Sequence, residues 1–203
     1  MNNFLSAKIK SLPVSATLEM AAKTRELKNK GVDIIGLSLG EPDFNTPDFI
    51  KDASIQAIKD NYNSYTPVDG YQELKQAVCD KFERDNEINY MPDQVVISTG
   101  AKQSIANTIQ VLVNEGEDVL LVAPYWVSYS AIVTLAGGNP IEIRSDISTD
   151  FKISPSQLEK SITNSTKLLI INSPNNPSGS VYSEHELIEL SKILEKYPNI
   201  FIL

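Results

Sequence analysis

The chain has 203 residues, 41% of them hydrophobic and 22% charged, with 11 Pro, 9 Gly and one Cys. These figures exclude the disordered, collagen-like and disulfide-stapled classes. Lys+Arg 18 against Asp+Glu 26 leaves a net charge of −8, which argues against a nucleic-acid or membrane partner and requires any bound anion to be held by local geometry.

In chain order, residues 1–10 carry Lys8 and Lys10 with no apolar run behind them, so they do not read as a secretory signal. Residues 16–30 read as a helix stopped by Gly31, and residues 33–39 as a short extended segment. Thr46-Pro47 then predicts a helix start, with Thr46 as N-cap and Ile50, Ala53, Ala57 and Ile58 as its buried stripe. Residues 71–86 form a third amphipathic pattern, in which Cys79 reads as a small core-lining thiol. One cysteine supports neither a disulfide framework nor a zinc cluster, and it suits a reducing, cytoplasmic setting.

From residue 95 strands and helices alternate. Residues 95–98 predict a strand, 101–114 a helix, 119–123 a strand, and 127–136 a helix closed by Gly137-Gly138. Residues 141–143 predict a strand, 156–162 a helix, 168–171 a strand, and 183–195 a helix opened by the capping box Ser183-Glu184-His185-Glu186. Residues 200–203 begin another strand. Apolar strands separated by amphipathic helices predict an α/β fold, a mostly parallel sheet with helices on both faces. The last strand stops without a turn or polar tail, so the chain is expected to be the N-terminal piece of a longer protein. No apolar run approaches the length of a membrane span.

Four loops stand at or near the carboxyl ends of these segments, where open α/β sheets bind ligands. Leu39-Gly40-Glu41-Pro42-Asp43-Phe44 is a rigid turn in which Gly40 permits close backbone approach. Ser98-Thr99-Gly100-Ala101-Lys102-Gln103 leads from a strand into a helix whose first amides suit a phosphate. Pro124-Tyr125-Trp126 offers an indole either for stacking on an aromatic ligand or for filling the core. The most specific loop is Asn172-Ser173-Pro174-Asn175-Asn176-Pro177-Ser178-Gly179, with Asn176 pushed toward an extended backbone by Pro177.

Together with Ser38 and with Tyr65-Thr66-Pro67, these segments occur in an order that resembles the class I pyridoxal-phosphate aminotransferases, and most of all the bacterial aspartate and aspartate/prephenate enzymes. The resemblance runs from about Pro13 to Leu203 and covers roughly the first half of such an enzyme. It implies the large domain of the type I pyridoxal-phosphate transferase fold, incomplete here. Residues 1–45 would form an arm belonging to a small domain, and residues 46–203 the cofactor-binding domain. It implies pyridoxal 5′-phosphate as cofactor, an amino acid and a 2-oxo acid as substrates (L-aspartate and 2-oxoglutarate first among them), and a homodimer at full length.

By motif position, Gly100, Ala101 and Lys102 would form the phosphate cup. Trp126 would lie against the pyridine ring, and Asn176 would bond the ring's 3-oxygen while also lying near the substrate. Gly40 would contact the substrate carboxylate, and Tyr65 would reach the phosphate in the neighbouring subunit's site. Asn45 and Ser178 depart mildly from the family, where Asp and Thr are commoner. No catalytic residue is assigned, because the lysine that binds the cofactor, like the Asp on the pyridine nitrogen and the Arg on the substrate carboxylate, would lie beyond residue 203. The alternative reading is a truncated, non-catalytic fragment with at most weak cofactor or partner binding. Arg25, Arg84, Arg144 and His185 match no motif and are expected at the surface.

Overall fold

The computed structural model describes residues 4–37, 40 and 42–203, which fall into two compact units, Ala16–Thr99 and a second that joins residues 4–15 to Gly100–Leu203. Helix α1 (Ala7–Ser11) belongs to the second unit and is capped by Ser6, whose hydroxyl accepts from the Ile9 amide at 3.3 Å. The 16–99 unit holds α2 (Ala16–Asn29), α3 (Asp48–Lys59) and α4 (Gln72–Asn86).

Several expectations for this unit are corrected. Helix α3 begins at Asp48 with Pro47 at its cap and no side-chain cap bond, so Thr46 lies one residue too early to serve. Its anticipated stripe is not buried: Ile50 is 44% and Ile58 78% exposed, because none of the described residues covers that face. In α4 the buried pair is Lys75 and Cys79, four residues apart on one face, while Leu74 is turned outward. Cys79 is thus the core-lining thiol that its pattern predicts.

Residues 95–98 do not form a strand. Val95 is extended (φ −115°, ψ 129°), yet its amide turns back to Pro92 O at 3.2 Å and the Ile97 amide donates to Asp69 O at 3.0 Å, so no ladder forms among the described residues. An extended backbone becomes a strand only when a neighbour completes the ladder. Residues 33–37 likewise carry no strand, and Ser38, Leu39 and Glu41 lie outside the described residues.

In the second unit the alternation holds. Helices α5 (Ala101–Leu112), α6 (Ser128–Ala136), α7 (Pro155–Ser161) and α8 (Glu184–Leu194) alternate with β1 (Asp118–Ala123), β2 (Asn139–Arg144), β3 (Thr166–Ile170) and β4 (Phe201–Ile202). All pairings are parallel in the order β2-β1-β3-β4, with Leu120 opposite Ile141 on one side and Leu169 on the other. Strand side chains point alternately to opposite faces. Val119 and Leu121 therefore pack with Ile109 and Val113 of the α5 region and with Tyr129 and Val133 of α6. Leu120 and Val122 pack with Leu158 of α7 and Leu190 of α8. Each fully buried Leu or Val contributes about 1.5–3 kcal/mol relative to exposure. The two-residue period thus builds one core above the sheet and another below it.

The helix ends follow their sequence signals. Gly137 closes α6 in the left-handed conformation (φ 97°). At α8 the Ser183 hydroxyl accepts from the Glu186 amide at 3.3 Å, while the Glu186 carboxylate accepts from the Ser183 amide at 2.7 Å.

Candidate functional site

Strands β1 and β3 are neighbours running in the same direction, so the segments that follow them leave from the same edge of the sheet. Pro124-Tyr125-Trp126 follows β1, and the 172–179 loop follows β3. The Asn175 side chain joins them. The Asn175 carboxamide donates to Pro124 O at 2.9 Å and to Ser178 Oγ at 2.8 Å, while its backbone closes the loop through Gly179 and Ser180. Asn172 Oδ1 accepts from the Asn176 amide at 2.8 Å, and Ser173 Oγ accepts from the Tyr182 amide at 3.0 Å. The Ala123-Pro124, Ser173-Pro174 and Asn176-Pro177 bonds are cis.

With its backbone held by these bonds, Asn176 is exposed, and its own carboxamide has no partner among the described residues. Asn175 and Asn176 are therefore chemically alike and differently engaged. Both stood out in the sequence as Asn between two Pro, but nothing local told which one would be tied down.

Trp126 is half-buried. Its ring meets Tyr129 edge-on at 5.5 Å and 86°, and Tyr129 in turn is buried, which raises its phenol pKa. The indole is thus part core and part surface, neither wholly buried as a core side chain nor wholly free. Tyr129, which orients it, has no signal in the sequence beyond its helical spacing. The Lys102 ammonium sits 4.9 Å from the indole centroid, a cation–π distance that brings the start of α5 beside the ring.

Gly100 precedes α5 at φ 81°, ψ 163°, a backbone that a side chain would strain, and it supplies no side-chain cap. Its carbonyl accepts from the Gln103 amide at 3.1 Å. Among the described residues no group accepts from the amides of Ala101 and Lys102. Two outward amides, the positive helix end and the Lys102 ammonium form a donor set for an anion.

Gly100, Ala101, Lys102, Trp126 and Asn176 thus belong to one unit, and the Lys102–Trp126 and Asn175–Pro124 contacts link their segments. Gly40 and Tyr65 belong to the 16–99 unit, and both are exposed. Arg25, Arg84 and Arg144 are exposed as expected, with Arg84 Nε donating to Asp85 at 2.7 Å. His185 is exposed on α8 beside a cavity of about 320 Å³ lined also by Lys152, Gln157, Glu186 and Glu189. None of the five linked residues lines that cavity. Among the described residues no cluster of His, Cys, Asp and Glu could hold a metal, and no helix is long and apolar enough to cross a membrane. The donor set suits a flat aromatic ring bearing an anionic group: amides and a cation for the charge, an indole for the ring, and a free carboxamide for a ring substituent.

Comparison with known proteins identifies the family. Residues 32–203 match the family model described as aminotransferase class I and II. The chain is 48% identical over 201 residues to a probable aspartate/prephenate aminotransferase of Rickettsia felis, covering 99% of this chain and 49% of that one. It is also 48% identical over 198 residues to the aspartate/prephenate aminotransferase of Nitrosomonas europaea, covering 98% of this chain and 50% of that one. The aspartate aminotransferase of Rhizobium meliloti superposes with a TM-score of 0.94 at 37% identity, over 98% of this chain and 50% of that one. The Thermus thermophilus aspartate aminotransferase with maleate superposes with a TM-score of 0.92 at 36% identity, over 97% of this chain and 52% of that one. The chain spans about half the length of the curated relatives it matches.

Proposed function

Because the chain belongs to the class I and II aminotransferases, we propose that the complete protein moves an amino group between an amino acid and a 2-oxo acid with pyridoxal 5′-phosphate as cofactor. L-Aspartate and 2-oxoglutarate are the proposed pair. The names of the relatives support aspartate, and the relative solved with maleate supports a four-carbon dicarboxylate. When bound, the cofactor supplies the aldehyde that takes the amino group and a ring that accepts electrons.

The work assigned to this chain is binding and orientation. The amides of Gly100, Ala101 and Lys102, with the Lys102 charge, hold the phosphate against the repulsion of an acidic protein. The Trp126 indole, steadied by Tyr129, lies against the pyridine ring and keeps water from that face. The Asn176 carboxamide donates to the ring's 3-oxygen and lies near the substrate. Gly40 meets the substrate carboxylate through its backbone, and Tyr65 reaches the phosphate of the neighbouring subunit's site in a homodimer. The lysine that joins the cofactor covalently lies beyond residue 203, so catalysis needs the rest of the protein. In that complete protein residues 1–45 join a small domain and residues 46–203 the cofactor-binding domain, and the protein is cytoplasmic.

The observation that carries this reading is the convergence of Lys102 on Trp126, beside a loop whose Asn176 carboxamide is free while its Asn175 neighbour is tied. The test is transamination of aspartate by the complete protein, and by its Trp126→Ala and Asn176→Ala variants. Activity in the parent is expected, with weakened cofactor binding in both variants and no change in the far-ultraviolet circular dichroism. Unfolding of both variants would return the two residues to purely structural roles. The 203-residue chain alone is expected to give no turnover, and turnover by it would overturn the assignment of the covalent lysine.

A further inference from the structure

Residues 61–71 join α3 to α4, and both ends of this connection are fastened. Asn61 takes a left-handed backbone (φ 61°), the Tyr62 amide donates to Ala57 O at 3.0 Å, and the Tyr62 ring meets Tyr71 edge-on at 6.2 Å. At the other end the Gly70 amide donates to Pro67 O at 3.0 Å, and Asp69 O accepts from the Ile97 amide at 3.0 Å. Gly70 has φ +103°, and an added Cβ there would lie 2.5 Å from Ile97 Cγ1. Between these anchors Tyr65 and Val68 are fully exposed.

Lys75 lies in the first turn of α4 and is only 6% exposed. Its ammonium is paired with the Asp69 carboxylate, which that bond holds below the usual carboxylate range. A lysine is seldom buried, because losing its hydration costs several kcal/mol unless a partner offsets it. Here the partner sits four residues after Tyr65, on the segment that carries it.

We propose that Lys75 is a positioning residue: by holding Asp69 it sets the Tyr65–Gly70 segment so that the Tyr65 hydroxyl meets the cofactor phosphate of a second copy of this chain. The inference rests on the reading of Tyr65 given above. Lys75 touches neither cofactor nor substrate in this scheme and acts through the tyrosine alone. Loosening the pair would let the fully exposed tip sample other positions, and the phosphate would lose one hydrogen bond while the ring contacts stayed.

The test measures the affinity of the complete protein for pyridoxal phosphate and for pyridoxal, which lacks the phosphate. Lys75→Met keeps the apolar stem of the side chain and leaves Asp69, which is 44% exposed, to water. The expected result is a loss of about tenfold for pyridoxal phosphate, the scale of one hydrogen bond to a charged group, with pyridoxal unchanged. Tyr65→Phe is expected to give the same selective loss, and the double variant to be no worse than Tyr65→Phe, as for residues acting through one contact. A general loosening of the fold would weaken both ligands and add to the Tyr65 effect. Equal losses for both ligands in Lys75→Met, or no loss, while Tyr65→Phe remains selective, would overturn the inference alone. A Tyr65→Phe variant without selectivity would overturn the reading on which it rests. Should Lys75→Met not fold, Asp69→Asn is measured against the same outcomes.

Discussion

Asn175 commits both of its carboxamide hydrogens, to Pro124 O and Ser178 Oγ, whereas the carboxamide next to it has no partner among the described residues. Asn175→Ala therefore leaves the part-buried Pro124 O without its donor, while Ser178 Oγ keeps the Ser180 amide, and it is expected to lower the unfolding free energy by about 1–3 kcal/mol in denaturant titration. Asn176→Ala is expected to leave that titration unchanged and to appear only in cofactor binding. Glu186 gives a second prediction at this scale. Bonds from the Ser183 amide, and then from Lys152 and the Ser183 hydroxyl, hold its carboxyl at about 2, down from 4.5. A carboxyl whose pKa is lowered by folding stabilises the fold above its unfolded value and loses that contribution as pH falls through its folded value. The gap in melting temperature between the parent and Glu186→Gln is expected to be constant above pH 4.5 and to close as pH approaches 2. A gap that persists at pH 2 would show that the carboxylate charge is not its origin.

At the scale of elements, the turn between α6 and β2 shows how closely the connections are packed. A Cβ built on Gly138 would lie 2.8 Å from Val113 Cγ1 and 3.2 Å from Glu117 O. Gly138→Ala is expected to cost about 1–3 kcal/mol by overpacking, read as a shift in the denaturation midpoint. The capping box at α8 was legible in four letters, because both of its bonds join residues three apart. The β1 and β3 runs were legible for a similar reason, as short apolar segments between helical periods. Residues 95–97 are likewise a short apolar run, with an extended backbone at Val95, but no completed ladder among the described residues. Strand propensity reports that a segment fits a pleated surface, and it carries no information about who stands beside it. Ile50 and Ile58 of α3 make the same point for helices, since an apolar stripe announces a face and not its cover.

Across the whole molecule, large apolar side chains stay exposed, among them Leu37, Phe44, Phe49, Ile58, Val96 and Val111. Exposed apolar surface on this scale marks places where protein meets protein. The 203-residue chain on its own is expected to self-associate at micromolar concentration, and light scattering that found a stable monomer would contradict this. The alternation of helices and strands from residue 101 onward, the parallel α/β plan and the family were determined by the sequence alone, because caps, periodicity and motif order involve residues close in the chain. Tertiary structure alone decided that Lys102 lies over Trp126, that Asn175 is tied while Asn176 is free, and that Lys75 is buried against Asp69. Each of those outcomes depends on which groups the completed packing leaves within a few ångströms of one another or open to water, a matter no local pattern of residues encodes.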